Sequence, residues 1–239
     1  PGAANKMLEK YVNQVFLGFQ EAGRFFFFFE KHIFVGNPVR KRFFNITKKD
    51  ARKELKIDSN AFVVFSFGGS YGADKINEVA FDLMTIVNGK KDIVMIFGTG
   101  SQYYENIINK AKKNEINIQK NIRIISYIND MENYLGASDL IISRAGALSM
   151  AETTACGRAA ILIPSPNVTG NHQYFNAKSL SDRGGAVLIE ESNLTSEKLI
   201  EEVLKLKNNP EMLEKMSEAS KACAQINATE NIYENLIAK

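Results

Sequence analysis

The chain has 239 residues and is 45% hydrophobic, enough to bury a full core, which excludes a disordered tract and allows one large domain or one domain and a piece of another. Its 30 basic and 27 acidic residues leave a formal charge of +3, too balanced for a nucleic-acid footprint, so no nucleic-acid partner is expected. The two cysteines, Cys156 and Cys223, lie far apart without CxxC or Cys/His grouping, so no structural metal and no disulfide framework is expected, and both read as buried thiols.

No apolar run reaches the length of a membrane span, and the N-terminus lacks the charged and apolar parts of a signal peptide, so the expected compartment is the cytosol. Residues 1–35 open with a possible helix, pass five phenylalanines from Phe25 to Phe29, and reach the strand-like HIFVGNPV. That stretch is too short for its own core, so it reads as an appendage to a main domain over 36–239. In VGNPVR, Pro38 sets a rigid turn and Arg40 stands beside the linker, within the basic cluster Arg40, Lys41 and Arg42. It could pair with a phosphate or stay solvated.

AFVVFSFGGS is a short apolar run ending in glycines, as in a buried parallel strand. After it, Ile76, Val79, Ala80, Leu83, Ile86 and Val87 recur at helical spacing. The strand signal returns in DIVMIFGTG, NIRIISYI, SDLIIS, RAAILIPSP and GAVLIE, with helical segments between. Such alternation predicts an α/β fold with a parallel sheet covered on both faces. Ligands then belong beyond the carboxyl ends of the strands. The C-terminal part reads as helical, broken at Pro210.

Three loops at those strand ends carry turn residues. FGGSYGA places Gly68, Gly69 and Gly72 between a strand and a helix, where absent Cβ atoms and a helix N-terminus suit a diphosphate. A plain structural turn explains them equally well, and the spacing is neither Walker A nor GxGxxG. SRAGALSMAE passes through Gly146 into a helix on which Ser149 and Glu152 share a face. Glu152 could accept hydrogen bonds from ribose hydroxyls or simply complement the helix dipole. The loop PSPNVTGNHQYFNA brings His172 and Gln173 to a helix start, as cleft residues or as surface and capping ones.

Taken in order, GNPVR, GGSYGA, SRAGALSMAE and NHQYFNA closely resemble the second half of the MurG family, the bacterial transferases that move N-acetylglucosamine from UDP-GlcNAc to lipid I, giving lipid II. The resemblance implies a two-domain GT-B architecture, here a Rossmann-like donor domain over 36–239 and, over 1–35, a remnant of the acceptor domain with its last helix and strand. It implies that Arg40 and Ser70 meet the donor diphosphate and that Ile128 meets the uracil. Ala147, Leu148 and Ser149 would line the diphosphate and sugar side, Glu152 would bind the ribose, and His172 and Gln173 would orient the sugar hydroxyls. No cofactor or metal is implied: N–H dipoles and a cation meet the charge on departing UDP in an inverting transfer. Lipid I would enter through the other domain, at the inner face of the cell membrane.

The family's candidate base is a histidine in a glycine-rich loop near the start of its N-terminal domain. Neither His32 nor His172 matches it, so the chain reads as truncated, binding donor without transferring it. The phenylalanine run also departs from the family, as an exposed patch, a membrane-facing feature or an error in the gene sequence. The alternatives are another GT-B enzyme using a UDP-sugar, such as a glycolipid glycosyltransferase or UDP-GlcNAc epimerase, and a non-catalytic nucleotide-sugar-binding module.

Overall fold

The computed structural model describes residues 2–237. It opens with a single short helix, α1 (Ala3–Leu8), followed by two three-residue strands, β1 (Val15–Leu17) and β2 (His32–Phe34), paired in parallel. Ahead of β1, the buried carboxylate of Glu9 accepts the N–H groups of Phe27 and Phe28 and contacts His32 Nε2 at 3.0 Å. Burial alone would raise Glu9, but these donors outweigh it and hold its carboxyl below the ordinary carboxylate range. The backbone fixed in this way divides the phenylalanine run. Phe26 is buried, its ring 5.4 Å from that of His32, whereas Phe27 is 75% exposed and Phe29 also faces solvent.

A linker leads into α2 (Arg42–Asn45) and α3 (Lys48–Glu54). The Thr47 side chain caps α3 by accepting from Asp50 N at 3.1 Å, a local signature that the reading of the sequence passed over. Six strands then alternate with helices: β3 (Phe62–Phe67), α4 (Asp74–Val87), β4 (Ile93–Gly98), α5 (Tyr104–Lys113), β5 (Ile122–Ile125), α6 (Met131–Ala137), β6 (Leu140–Ser143), α7 (Ala147–Ala155), β7 (Ala159–Leu162), α8 (His172–Ser181) and β8 (Ala186–Leu188). Three helices close the chain, α9 (Ser196–Lys207), α10 (Pro210–Ala222) and α11 (Ala228–Ile237). Pro210 is the first residue of α10, where its missing N–H costs no helical bond, and Asn209 Oδ1 caps that helix through Met212 N at 3.0 Å.

The six strands are all parallel, in the order β5-β4-β3-β6-β7-β8. The sheet therefore grows outward in both directions from β3 and β6, whose ends meet at Phe67↔Ser143. Alternate residues feed two cores. Val64, Met95 and Phe97 pack with α4 and α9 on one face, and Val63, Phe65 and Ile141 pack with α6 and α7 on the other. At the foot of the central pair, Asp139 accepts from Arg52 Nη2 at 2.6 Å, Lys48 Nζ at 2.7 Å and Val63 N at 2.7 Å. Arg52 also donates to Ala137 O at 3.0 Å, so α3, the end of α6 and the start of β6 are tied at one point. Removing one partner from so buried a pair typically costs about 3–5 kcal/mol.

The two cysteines differ from expectation in one respect. Cys156 is buried, and burial pushes its thiol up to about 12, which leaves it unreactive. Cys223 is only half-buried, because α10 ends there and its side chain faces a gap toward the linker.

Candidate functional site

In an open parallel sheet a crevice forms where the strand order reverses, outside the carboxyl ends of the strands. Here that point lies between β3 and β6, and a cleft of ≈ 290 Å³ opens beside it. Phe67, Gly69 and Ser70 reach it from the end of β3, while Leu148, Ser149 and Glu152 reach it from α7. Arg40 comes from the linker, and Ile128 from the turn after β5. Arg40, Gly69, Ser70, Ile128, Leu148, Ser149 and Glu152, seven residues singled out in the sequence, thus share one wall-to-wall space.

The start of α7 has the chemistry of an anion seat. Its first intrahelical bond runs from Met150 N to Gly146 O at 2.9 Å, so the N–H groups of Ala147, Leu148 and Ser149 have no acceptor within the helix. No side chain caps that end and no acidic residue stands in its first turn. Glu152 is in the second turn, so the helix-dipole account of this carboxylate does not hold. The start of α4 differs, because Asp74 already occupies its first turn.

The glycines divide into two groups. Gly72 has φ +87, and a Cβ there would lie 2.2 Å from Thr99 O; Gly100 has φ +81, and its Cβ would lie 2.2 Å from Gly72 N. The turns after β3 and β4 therefore interlock backbone to backbone. Asn77 Nδ2 holds the second turn by donating to Thr99 O at 2.9 Å. A Cβ on Gly68 would meet Ala73 N at 2.4 Å, so Gly68 is also a packing glycine. Gly69, with φ +94, has open space where a Cβ would project, and a Cβ on Gly146 would meet only Ser149 Oγ, at 3.8 Å.

Electrostatics set Arg40 against two carboxylates. Arg40 Nη2 lies 2.7 Å from Glu132 Oε2 on α6. Burial pushes the Glu152 carboxyl up to about 7; the Arg40 guanidinium opposes that rise and Glu132 adds to it. The opening turn of α7 is braced from outside the cleft, since Arg144 ion-pairs with Glu191 and donates to Ile163 O at 3.2 Å.

His172 and Gln173 stand apart from this cleft. His172 is exposed at the start of α8, and Gln173 Oε1 accepts from Ser165 N at 3.0 Å, steadying the loop after β7. Conversely, the cleft takes Gly98 and Gly100 from the turn after β4, and Ser126, Tyr127, Asn129 and Met131 from the segment after β5. The signal for the first pair was the GTG that closes a strand, a fourth glycine turn at the same sheet edge. A larger space of ≈ 330 Å³ lies behind α7, between Phe19, Asn37, Thr154 and Cys223. Among the described residues no group of three or more His, Cys, Asp or Glu side chains could hold a metal ion.

Strand order, parallel register and a polar cleft at the reversal point define a Rossmann-like α/β domain. The family model described as glycosyltransferase family 28 C-terminal domain matches residues 63–235, and the chain belongs to that family. The UDP-N-acetylglucosamine--N-acetylmuramyl-(pentapeptide) pyrophosphoryl-undecaprenol N-acetylglucosamine transferase of Thermoanaerobacter sp. (strain X514) is 39% identical over 98% of this chain and 64% of its own length. The protein of the same name from Acetivibrio thermocellus is 40% identical over 98% of this chain and 63% of its own. The chain thus spans less than two thirds of the curated relatives it matches.

Among solved structures, Acinetobacter baumannii MurG superposes with a TM-score of 0.74 at 24% identity, over 100% of this chain and 64% of that one. A UDP-GlcNAc 2-epimerase from Neisseria meningitidis bound to UDP-GlcNAc gives 0.69 at 17% identity, over 100% and 65%. At such identities both likenesses speak to the fold, which they share.

Proposed function

We propose that the chain is the donor-binding half of an N-acetylglucosaminyltransferase that moves the sugar from UDP-GlcNAc to lipid I. The observation that carries this is the cleft itself: an uncapped helix N-terminus, a guanidinium and a half-buried carboxylate around one space at the switch point. The names of the curated relatives supply the particular sugar and acceptor. In this reading the diphosphate lies on the N–H groups of Ala147, Leu148 and Ser149, with Arg40 and Ser70 beside it. The uracil rests by Ile128 and the ribose hydroxyls donate to Glu152. His172 and Gln173, at the start of α8, would meet the sugar only where it extends beyond the cleft. As the bond to UDP breaks, charge gathering on the β-phosphate is met by fixed dipoles and Arg40.

No group of this chain is assigned the base: His32 is engaged by Glu9, and His172 begins α8 outside the cleft. Residues 1–35, with their separate two-stranded sheet, belong in this reading to the acceptor-side domain. Lipid I would bind there, at the cytoplasmic face of the membrane. Among the described residues no helix is long and apolar enough to cross a membrane.

Calorimetric titration with UDP-GlcNAc, and with UDP-glucose and NAD as controls, tests the proposal. Selective binding of UDP-GlcNAc is the expected result, and Glu152→Ala should weaken UDP about ten- to a hundred-fold through lost hydrogen bonds to a charged acceptor. A folded chain that binds no UDP compound would overturn the reading.

A further inference from the structure

We propose that Glu132, a residue outside the cleft, is the positioning residue for Arg40 and so governs recognition of the diphosphate. The inference rests on the donor-cleft reading above and concerns how that cleft keeps its cation in place.

The pair is lopsided. The Glu132 side chain is 4% exposed, yet its partner Arg40 is 61% exposed. A buried carboxylate is costly unless paired, and this one sits in the first turn of α6, behind the wall that Met131 presents to the cleft. Its Oε2 takes Arg40 Nη2 at 2.7 Å, and its Oε1 lies 3.7 Å from Arg42 Nη1. Arg42 in turn donates to Asn133 Oδ1 at 3.1 Å. Two linker arginines are thus fastened to the start of one helix, while Lys41 between them pairs with Glu230 at 2.9 Å on α11.

A guanidinium carries five donors in a rigid fork, and Glu132 engages one nitrogen of it. The remaining edge is left for a ligand at the cleft mouth. Besides Glu132, Arg40 has one aromatic neighbour, its guanidinium carbon standing 5.3 Å from the Phe43 ring centre, and most of its side chain is in solvent. Without Glu132 the guanidinium, mostly in solvent, would be free to swing away from the cleft mouth, and the diphosphate would lose its cation while the ribose acceptor stayed in place. Glu132 therefore fixes the cation where the diphosphate lies.

The test is calorimetric binding of UDP and of uridine to the whole chain in five forms: native, Glu132→Gln, Glu132→Ala, Arg40→Ala, and Arg40→Ala with Glu132→Ala. Thermal melts check that each is folded. Glu132→Ala should cost UDP about tenfold and leave uridine unchanged, because a charge-assisted contact to phosphate is lost. Glu132→Gln, which keeps a neutral acceptor for Arg40, should recover part of that loss. In the Arg40→Ala background Glu132→Ala should add nothing. Unchanged UDP affinity in Glu132→Ala, an equal loss for uridine, or an undiminished effect in the absence of Arg40 would each overturn the proposal while native binding of UDP kept the donor reading intact. Failure of the native chain to bind UDP would overturn the donor reading itself.

Discussion

Glu152 carries the residue-scale consequence of the cleft. Its carboxyl titrates near 7 instead of the ordinary 4.5 because burial outweighs the attraction of Arg40. A carboxyl whose folded value is raised favours the folded state below the ordinary value, and that advantage disappears as pH rises through about 7. Glu152→Gln should therefore leave stability unchanged near pH 4 and raise it at pH 8. The gain should be on the order of 1–2 kcal/mol once solvent screening of this half-buried group is allowed for. Urea melts of both forms across that range check it, and a gain at pH 4 equal to that at pH 8 would show that ionisation is not the cause. The same group ties pH to ligand: uridine, which has no phosphates to repel the carboxylate, should bind more tightly as pH rises through about 7.

At the scale of elements, the loops after β3 and β4 behave as one unit, since the Thr99 carbonyl fills the Cβ position of Gly72 and the Gly72 backbone fills that of Gly100. Gly72→Ala should destabilise the chain by about 2–3 kcal/mol through positive φ and contact with the Thr99 carbonyl. Gly146→Ala, at the N-cap of α7 with φ -65 and only Ser149 Oγ 3.8 Å from the added Cβ, should cost less, about 1 kcal/mol, because alanine is a poorer N-cap. Thermal melts would separate the two, and equal losses would mean that the interlock contributes nothing. This contrast also marks how far the sequence could be read. GGSYGA was legible as a turn, but its spacing does not distinguish a glycine that a neighbouring carbonyl demands from one that leaves room for a ligand. The α/β alternation was legible because apolar runs of strand length are separated by helical periodicity. The three-residue β1 carries too little pattern to register, and α2 and α3 passed unread although TKKD bears a capping signature.

For the whole molecule, the cleft drew seven expected residues together: Gly69, Ser70, Ile128, Leu148 and Ser149 follow strand ends or open a helix on the edge where the parallel sheet gathers such ends, Glu152 stands one turn further along α7, and Arg40 joins from the linker. Arg40 was legible as a possible phosphate partner beside the Pro38 turn and as a donor-site residue through the likeness of GNPVR, and Glu132 not at all, because its role depends on a neighbour far away in sequence. The appended segment 2–34 is another matter. Phe27, Phe29, Met7 and Tyr11 all face solvent there, beside Lys10 and Lys31. A patch of this kind promotes self-association. Phe27→Ser with Phe29→Ser should lower the aggregate fraction in light scattering at matched concentration, with the melting temperature moved by no more than about 2 °C. Unaltered scattering would clear the patch of blame.

The way the cleft is assembled has a consequence for the growing chain. Of the cleft's parts, Arg40 emerges first, the glycine turns follow, and α7, which brings the anion seat and Glu152, comes last. No nascent piece that ends before α7 holds a complete site, so a nucleotide cannot reward partial folding and can only trap a finished sheet. The central β3–β6 pairing, closed across two intervening βα units, is then the step on which both folding and binding wait.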